Sequence, residues 1–271
     1  MEYVDVQQVR VPALGFGTFR MNGGECAQAV EHAVRAGYRH IDTAEIYENE
    51  ESVGEGIRAA GVCREELFVT TKAWRDDLSP SGVRRSLEGS LRRLNTDYVD
   101  LWLIHWPNPA FPLEGALQAM MQLREAGRAR HIGVSNFPVV LVEEAVKVAP
   151  IVCNQVEYHP YLSQEPILTC ARKHRMMVTA YAPIAMGKVA DDPLLVRIGE
   201  RYGKSAAQVV LCWLIQQENV SAIPKASDPM HCEQNLGIFD FSLDDEEMAA
   251  IFDLGRGERL IDPEFAPQWD V

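Results

Sequence analysis

Four residues of this chain carry groups able to move a proton, and each closes or follows a short apolar run. They are Asp42 and Tyr47 in "YRHIDTAEIYENEESVG" (residues 38–54), Lys72 in "LFVTTKAW", and His105 in "YVDLWLIHW". A free phenol titrates near pH ~10 and is a slow acid or base at neutrality. A nearby ammonium stabilises phenolate and lowers that pKa, and a carboxylate behind the ammonium keeps it protonated and fixed. Asp42, Lys72 and Tyr47 therefore have the types for a tuning relay, with His105 free to orient a polarised oxygen. Such a set protonates a carbonyl oxygen while another group attacks its carbon. Plainer uses compete. Lys72 can snorkel from a rim, Asp42 can cap a helix or pair a surface charge, and His105 can be a satisfied core donor. Lys72 as a Schiff-base nucleophile is a further alternative, opposed by pairing with Asp42, which would keep the amine protonated.

Stepping along the chain gives the elements that must position these groups. Short β-rich runs recur as "VPALGFGTF", "YRHIDTA", "LFVTTKAW", "YVDLWLIHW", "ARHIGVSNF", "IVCNQVEYH", "MMVTAYAP" and "VSAIPKA". Between them lie helix-period stretches such as "GECAQAVEHAVRAG", "GVRRSLEGSLRRLN", "LEGALQAMMQLREAG" and "SAAQVVLCWLIQQEN". Ser79-Pro80 reads as a helix start and Gly127 as a stop. This alternation predicts an α/β fold, a closed (β/α)8 TIM barrel, whose chemistry sits at a mouth built from the C-terminal strand ends. Those ends read Thr18-Phe19, Asp42 with Tyr47, Lys72, His105, Ser135-Asn136, Gln155, Tyr181 and Lys225. Tyr181 offers a flat stacking face and Ser135, Asn136 and Gln155 an amide clamp, which suits a nicotinamide. Rim polar groups satisfying one another is the rival reading. Lys225 can meet a phosphate as a point charge. The runner-up fold, an open doubly wound sheet, would favour a Gly-rich fingerprint, but "GFGTFR" has Arg20 where a third glycine should stand.

Composition narrows the classes. The length of 271 residues matches such a barrel, typically about 250 residues, and 47% hydrophobic residues supply a large core. With 26 Lys+Arg against 39 Asp+Glu, the net charge of −13 argues against nucleic-acid or anionic membrane partners. An anionic ligand must then be held by local positive groups. Six scattered cysteines without C-x-x-C fit reduced thiols in a cytoplasmic protein, and no histidine spacing suggests a metal site. With no leader, spanning run or linker in the sequence, residues 1–271 are expected to form one domain and act as a monomer. Residues 255–271 are expected to form a tail over the mouth.

"GYRHIDTAEIYENEESVG", "IGVSNF", "NQVEYHP", "YAP" and "IPKA", in order across nearly the whole chain, resemble the successive motifs of the aldo-keto reductases. The ending "DPEFAPQWD" resembles that of the bacterial branch acting on 2,5-diketo-D-gluconate and methylglyoxal. The resemblance implies a barrel that binds NADP(H) without a Rossmann domain and reduces small aldehydes, ketones or α-dicarbonyls. It makes Asp42, Tyr47, Lys72 and His105 the catalytic tetrad, with Tyr47 as the acid. It makes Phe19, Ile46, Trp74 and Trp106, with Tyr47 and His105, the substrate pocket. Cofactor contacts are implied at Thr18, Phe19, Asp42, Ser135, Asn136, Gln155, Tyr181, Ala182, Ile184, Lys225, Ala226, His231 and Asn235. The sequence departs from the family pattern in having His231 where an Arg often grips the 2′-phosphate, which brings NAD(H) use into play. Ala182 stands where a Ser is frequent. A nucleotide-binding barrel without activity is the non-enzymatic rival. Arg256 and Arg259 are open either to an acidic substrate or to solvent.

Overall fold

The computed structural model describes residues 1–270. The chain opens with an antiparallel hairpin, β1 (Tyr3–Val6) and β2 (Val9–Pro12), turned by Gln7 and Gln8, both with left-handed backbone (φ 46° and 69°). Two-residue hairpin turns with positive φ match the strand twist but usually use Asn or Gly. Without those residues the hairpin left no trace in the sequence, and "VPALGFGTF", expected as one strand, is split between β2 and the first barrel strand.

The barrel strands are β3 (Phe16–Gly17), β4 (His40–Asp42), β5 (Phe68–Ala73), β6 (Val99–Ile104), β7 (Ala129–Ser135), β8 (Ile151–Glu157), β9 (Met177–Tyr181) and β10 (Val220–Ala222). All pair in parallel in sequence order. The two ends meet through a Leu14–Ala222 bridge, with Gly15 N donating to Ala222 O (2.8 Å) and Gly17 N to Pro224 O (3.0 Å). A Cβ at Gly15 would lie 2.7 Å from the His40 ring, and one at Gly17 would lie 2.8 Å from Ile223 O. These glycines therefore serve close approach at the barrel seam, not a phosphate loop.

The helices are α1 (Gly23–Ala36), α2 (Glu50–Ala60), α3 (Pro80–Leu94), α4 (Leu113–Glu125), α5 (Val139–Val148), α6 (Glu165–His174), α7 (Pro193–Tyr202), α8 (Ala206–Ile215), α9 (Pro229–Leu236) and α10 (Asp245–Phe252). Helix α7 is an insertion before α8, and α10 follows the last unit. Ser79 caps α3 by accepting from Gly82 N, and Ser205 with Gln208 forms a capping box on α8.

Strand alternation divides the core in two. In β6, Trp102 and Ile104 face the helix layer, while Leu101 and Leu103 face the barrel axis and cluster with Val4, Val6, Val9 and Val11 of the hairpin. The hairpin thus seals the bottom of the barrel and leaves the axial polar residues to the mouth. Beyond α10 the described residues form no helix or strand, and Phe265 among them packs edge-on against Trp74 and Trp106. Among the described residues, no helix is long and apolar enough to cross a membrane.

A Cβ at Gly133 of β7 would sit 2.7 Å from Cys153 O and 2.8 Å from the Leu103 side chain. Gly133→Ala should therefore destabilise the fold by about 2 kcal/mol through overpacking, read as a lower urea midpoint at unchanged slope. An unchanged midpoint would mean the barrel wall yields there.

Candidate active site

The register of β4 and β5 sets Asp42 opposite Thr70, so Asp42, Thr70 and Lys72 share the axial face. Lys72 is fully buried, and its Nζ donates to Asp42 Oδ1 at 2.5 Å and to Thr43 O at 2.7 Å. Asp42 Oδ2 accepts from Gln155 Nε2 on β8 at 2.8 Å. Burial pulls the Lys72 pKa below the ordinary lysine value, while the Asp42 charge and hydrogen bond push it back up.

Tyr47 ends a single 3₁₀ turn (Glu45–Tyr47) directly after β4, its ring centre 5.0 Å from Lys72 Nζ. The ring also lies 5.0 Å from that of Phe19 and 5.7 Å from that of His105. His105, just past β6, sits edge-on to both Tyr47 and Trp74, with Nδ1 buried and unpartnered. Burial, and then the charge of Lys72, drive its pKa well below the ordinary histidine value, so the imidazole is neutral.

Across the mouth, Ser135 Oγ donates to Gln155 O (2.8 Å), Asn136 Nδ2 to His105 O (3.0 Å) and Ser135 Oγ (3.1 Å), and Tyr181 OH to Asn136 Oδ1 (2.7 Å). These groups largely satisfy one another, yet Gln155 Oε1 has no partner within the described residues.

With this geometry established, the relatives decide the family. The profile of the Aldo/keto reductase family matches residues 13–256. Methylglyoxal reductase DkgB of Escherichia coli O157:H7 is 40% identical over 266 residues, covering 96% of this chain and 99% of its own. Glyoxal reductase of Bacillus subtilis (strain 168) is 42% identical, with 93% and 92% covered. A solved protein described as a 2,5-diketo-D-gluconic acid reductase B superposes with a TM-score of 0.98 at 46% identity, covering 100% of this chain and 98% of that one. The Bombyx mori aldo-keto reductase solved with NADP gives 0.90 at 36% identity, with 96% and 95% covered. This chain belongs to the aldo-keto reductase family. It is a nicotinamide-dependent oxidoreductase that reduces carbonyl groups, on an aldo-keto reductase (β/α)8 barrel.

The remaining expected cofactor positions of this aldo-keto reductase fall on one side of the mouth. Thr18 is buried and donates to Asp42 O (3.0 Å). Ala182 (φ 47°) precedes left-handed Ala185, Met186 and Gly187 around half-buried Ile184, and alternating backbone of this kind forms anion-binding nests. Lys225 is exposed and donates to the Arg20 backbone carbonyl at 3.4 Å, while the Arg20 guanidinium lies over the Phe19 ring, 5.1 Å from its centre. Ala226 and Asn235 are buried, and His231 lies exposed on the first turn of α9. Of the expected substrate wall, Phe19 and Ile46 are exposed at the rim, while Trp74 is half-buried and Trp106 buried.

One expectation is overturned. Lys72 was expected to lower the Tyr47 pKa, but burial raises it well above the ordinary phenol value and the Asp42 charge adds to the rise. The physical reason is burial: the cost of desolvating a phenolate, with the Asp42 charge adding to it, outweighs the pull of the Lys72 ammonium, so Tyr47 stays protonated at neutral pH.

Several contributors escaped the sequence. Glu45 Oε2 accepts from Trp74 N (3.1 Å) and Ser86 Oγ (2.6 Å), and Asn49 Nδ2 donates to Thr18 O (2.8 Å) and Met21 O (2.9 Å). Together they hold the turn carrying Tyr47. Both sit in a charge-dense stretch with no periodicity to mark them as inward-facing. Phe265 and Trp269 of the tail add to the aromatic wall, Trp269 lying 5.9 Å from Trp106. Phe265 also borders a cavity of about 570 Å³ lined by Arg75, Pro107, Phe111, Phe137 and Leu141, in which no tetrad residue takes part. Away from the mouth, Glu143, Cys170 and His174 bring metal-capable atoms within 4.8 Å of one another, a cluster with no sequence signature. Lys173 already donates to Glu143 there, at 2.7 Å, where a cation would sit.

Two stability outcomes follow from the buried groups. Lys72→Met leaves Asp42 buried and short of its counter-charge, and should cost about 3 kcal/mol in urea unfolding, with Asp42→Asn added to it recovering much of the loss. A mild Lys72→Met effect that Asp42→Asn worsens would contradict the pairing. The depressed folded-state pKa of His105 means that the unfolded chain takes up the proton first. Stability therefore declines as pH falls below about 6.5, the ordinary histidine value. His105→Gln should flatten that decline by up to about 1.4 kcal/mol per pH unit. Identical slopes for both proteins would show that His105 titrates normally.

Proposed function

We propose that this aldo-keto reductase converts small aldehydes, ketones and α-dicarbonyls of the methylglyoxal type to alcohols, with Tyr47 as proton donor. The observation that carries this reading is the buried Asp42–Lys72 pair lying 5.0 Å beneath the Tyr47 ring, beside a neutral His105. A bound reduced nicotinamide supplies the hydride, and the chain supplies the rest. Tyr47, protonated at neutral pH, hydrogen-bonds the substrate oxygen and gives up its proton as negative charge develops there. His105 holds the same oxygen from a second direction through a ring N–H. The phenolate left behind is stabilised by the Lys72 ammonium, which Asp42 and Thr43 O hold in place. Tyr181, with Gln155, Asn136 and Ser135, would seat the nicotinamide.

NADP(H) is the cofactor this reading favours. Lys225 and the adjacent Arg20 offer positive charge, and the Bombyx mori relative was solved with NADP. His231 offers a weaker grip than a guanidinium, so NAD(H) should also serve. Methylglyoxal and glyoxal come forward as substrates from the named relatives in Escherichia coli and Bacillus subtilis. All four proposed catalytic groups come from one chain, in keeping with a monomer. A Schiff-base role for Lys72 is disfavoured by its complete burial and its ion pair.

The test is the initial rate of methylglyoxal reduction with NADPH and with NADH, on the wild type and on Tyr47→Phe. The wild type should turn over faster with NADPH but measurably with NADH. Tyr47→Phe should lose at least about a thousandfold in kcat, within the scale of general acid catalysis, while still quenching tryptophan fluorescence with cofactor as the wild type does. Near-normal kcat in Tyr47→Phe would overturn the assignment of the acid.

A further inference from the structure

Arg259 is held unusually firmly for a residue in a segment without helix or strand. Just after it, Leu260 N and Ile261 N donate to the two oxygens of Glu157 (2.7 and 2.9 Å), a fully buried carboxylate at the end of β8 that also pairs with His159 (2.9 Å). Just before it, Glu258 N donates to Tyr161 O at 2.9 Å. The guanidinium carbon lies over the Trp269 ring, 3.8 Å from its centre. Trp269 is itself tied by its indole N–H to Asp262 (2.8 Å) and packs on Trp106, next in sequence to His105. The charge is thus fixed at the rim of the substrate wall.

This guanidinium makes no hydrogen bond or ion pair among the described residues, and its Nη1 is shut off from solvent. Burial pulls its pKa below the ordinary arginine value. Other half-buried arginines behave differently. Arg39, Arg64, Arg75 and Arg93 each donate to protein oxygens. Arg256, its neighbour in the tail, is spent on Glu258 (2.6 Å). The carboxylates around Arg259 are committed as well: Glu157 to the tail backbone and His159, Asp262 to Trp269, and Asp270 to Val139 N. A rigid, partly dry guanidinium with no partner among the described residues suits a planar anion that can take two parallel hydrogen bonds. In a chain of net charge −13, such a local positive group is what an anionic ligand needs.

We propose, resting on the carbonyl-reductase reading above, that Arg259 recognises the carboxylate of a substrate carrying both a carbonyl and an acid. Small keto or aldehyde acids are then preferred over neutral carbonyls of the same length. The other source of such an anion is a cofactor phosphate. It is less favoured because Lys225, Arg20 and the left-handed segment after Tyr181 already offer phosphate contacts, whereas Arg259 stacks on the substrate side through Trp269 and Trp106.

The test compares butanal with the four-carbon aldehyde acid succinic semialdehyde, on the wild type, Arg259→Gln and Arg259→Lys, alongside cofactor affinity from fluorescence quenching. The wild type should favour the acid in kcat/KM. Arg259→Gln should shrink the acid-to-butanal ratio about tenfold or more, the scale of a lost charge-assisted hydrogen bond. The loss should fall in KM, cofactor affinity should hold, and Arg259→Lys should restore part of the ratio. An unchanged ratio, or equal loss on both aldehydes, overturns the proposal while leaving the reductase reading intact. Weakened NADPH binding in Arg259→Gln overturns it in favour of a cofactor phosphate. A wild type that reduces neither aldehyde, methylglyoxal included, overturns the reductase reading and this proposal with it.

Discussion

The buried pair of Asp42 and Lys72 is the constraint around which the mouth is organised. Taking two charges out of water costs several kcal/mol per ion, and their attraction recovers this only when the remaining donors and acceptors are filled. Here Thr43 O takes a second Lys72 hydrogen and Gln155 fills the second Asp42 oxygen, so β4, β5 and β8 are joined across the barrel axis. Burial, with the Asp42 charge beside it, keeps Tyr47 a neutral phenol at rest. The Lys72 ammonium lowers the cost of phenolate without outweighing that burial, and in the proposed reaction it stabilises the phenolate as the proton leaves.

The pair would be useless if Tyr47 could swing away, and the acidic loop prevents that. The opening stretch looks like a solvated charge run, yet Glu45 reaches back to Trp74 N and Ser86, Asn49 fastens to the first barrel loop, and Glu50 is buried against Arg93 and Thr71. The tail repeats the device on the opposite rim, where Glu157 receives two of its backbone N–H groups. Carboxylates thus serve as anchors on both sides of an apolar mouth walled by Trp74, Trp106 and Phe265. The barrel bottom, plugged by valines of the hairpin, carries no such chemistry.

Much of this was legible from residue pattern. Seven of the eight barrel strands announced themselves as separate short runs, the first being merged with hairpin strand β2, and the polar residues at the strand ends converge as strand alternation requires. Helix α3 shows its Ser79 cap, and α8 its start at Ser205. What stayed hidden shares one cause: it depends on contacts between distant segments without periodicity. The Gln7–Gln8 hairpin lacks turn residues, Gly15 and Gly17 look like half a fingerprint but form a seam, and Glu45 and Asn49 look solvated. The direction of the Tyr47 shift needed the degree of burial and the closeness of the Lys72 pair, neither of which spacing supplies.

The most direct measurement of the central claim is the single-turnover rate of NADPH oxidation by methylglyoxal in Lys72→Met against the wild type, at a temperature where both remain folded and with cofactor binding measured in parallel. If the paired ammonium stabilises the phenolate formed beside it, the rate should fall by at least about a hundredfold, with cofactor binding little changed, as expected for loss of a charge that acts only as the transition state develops. A Lys72→Met enzyme that turns over near the wild-type rate would show that Tyr47 gives up its proton without help from the pair, and would contradict the account.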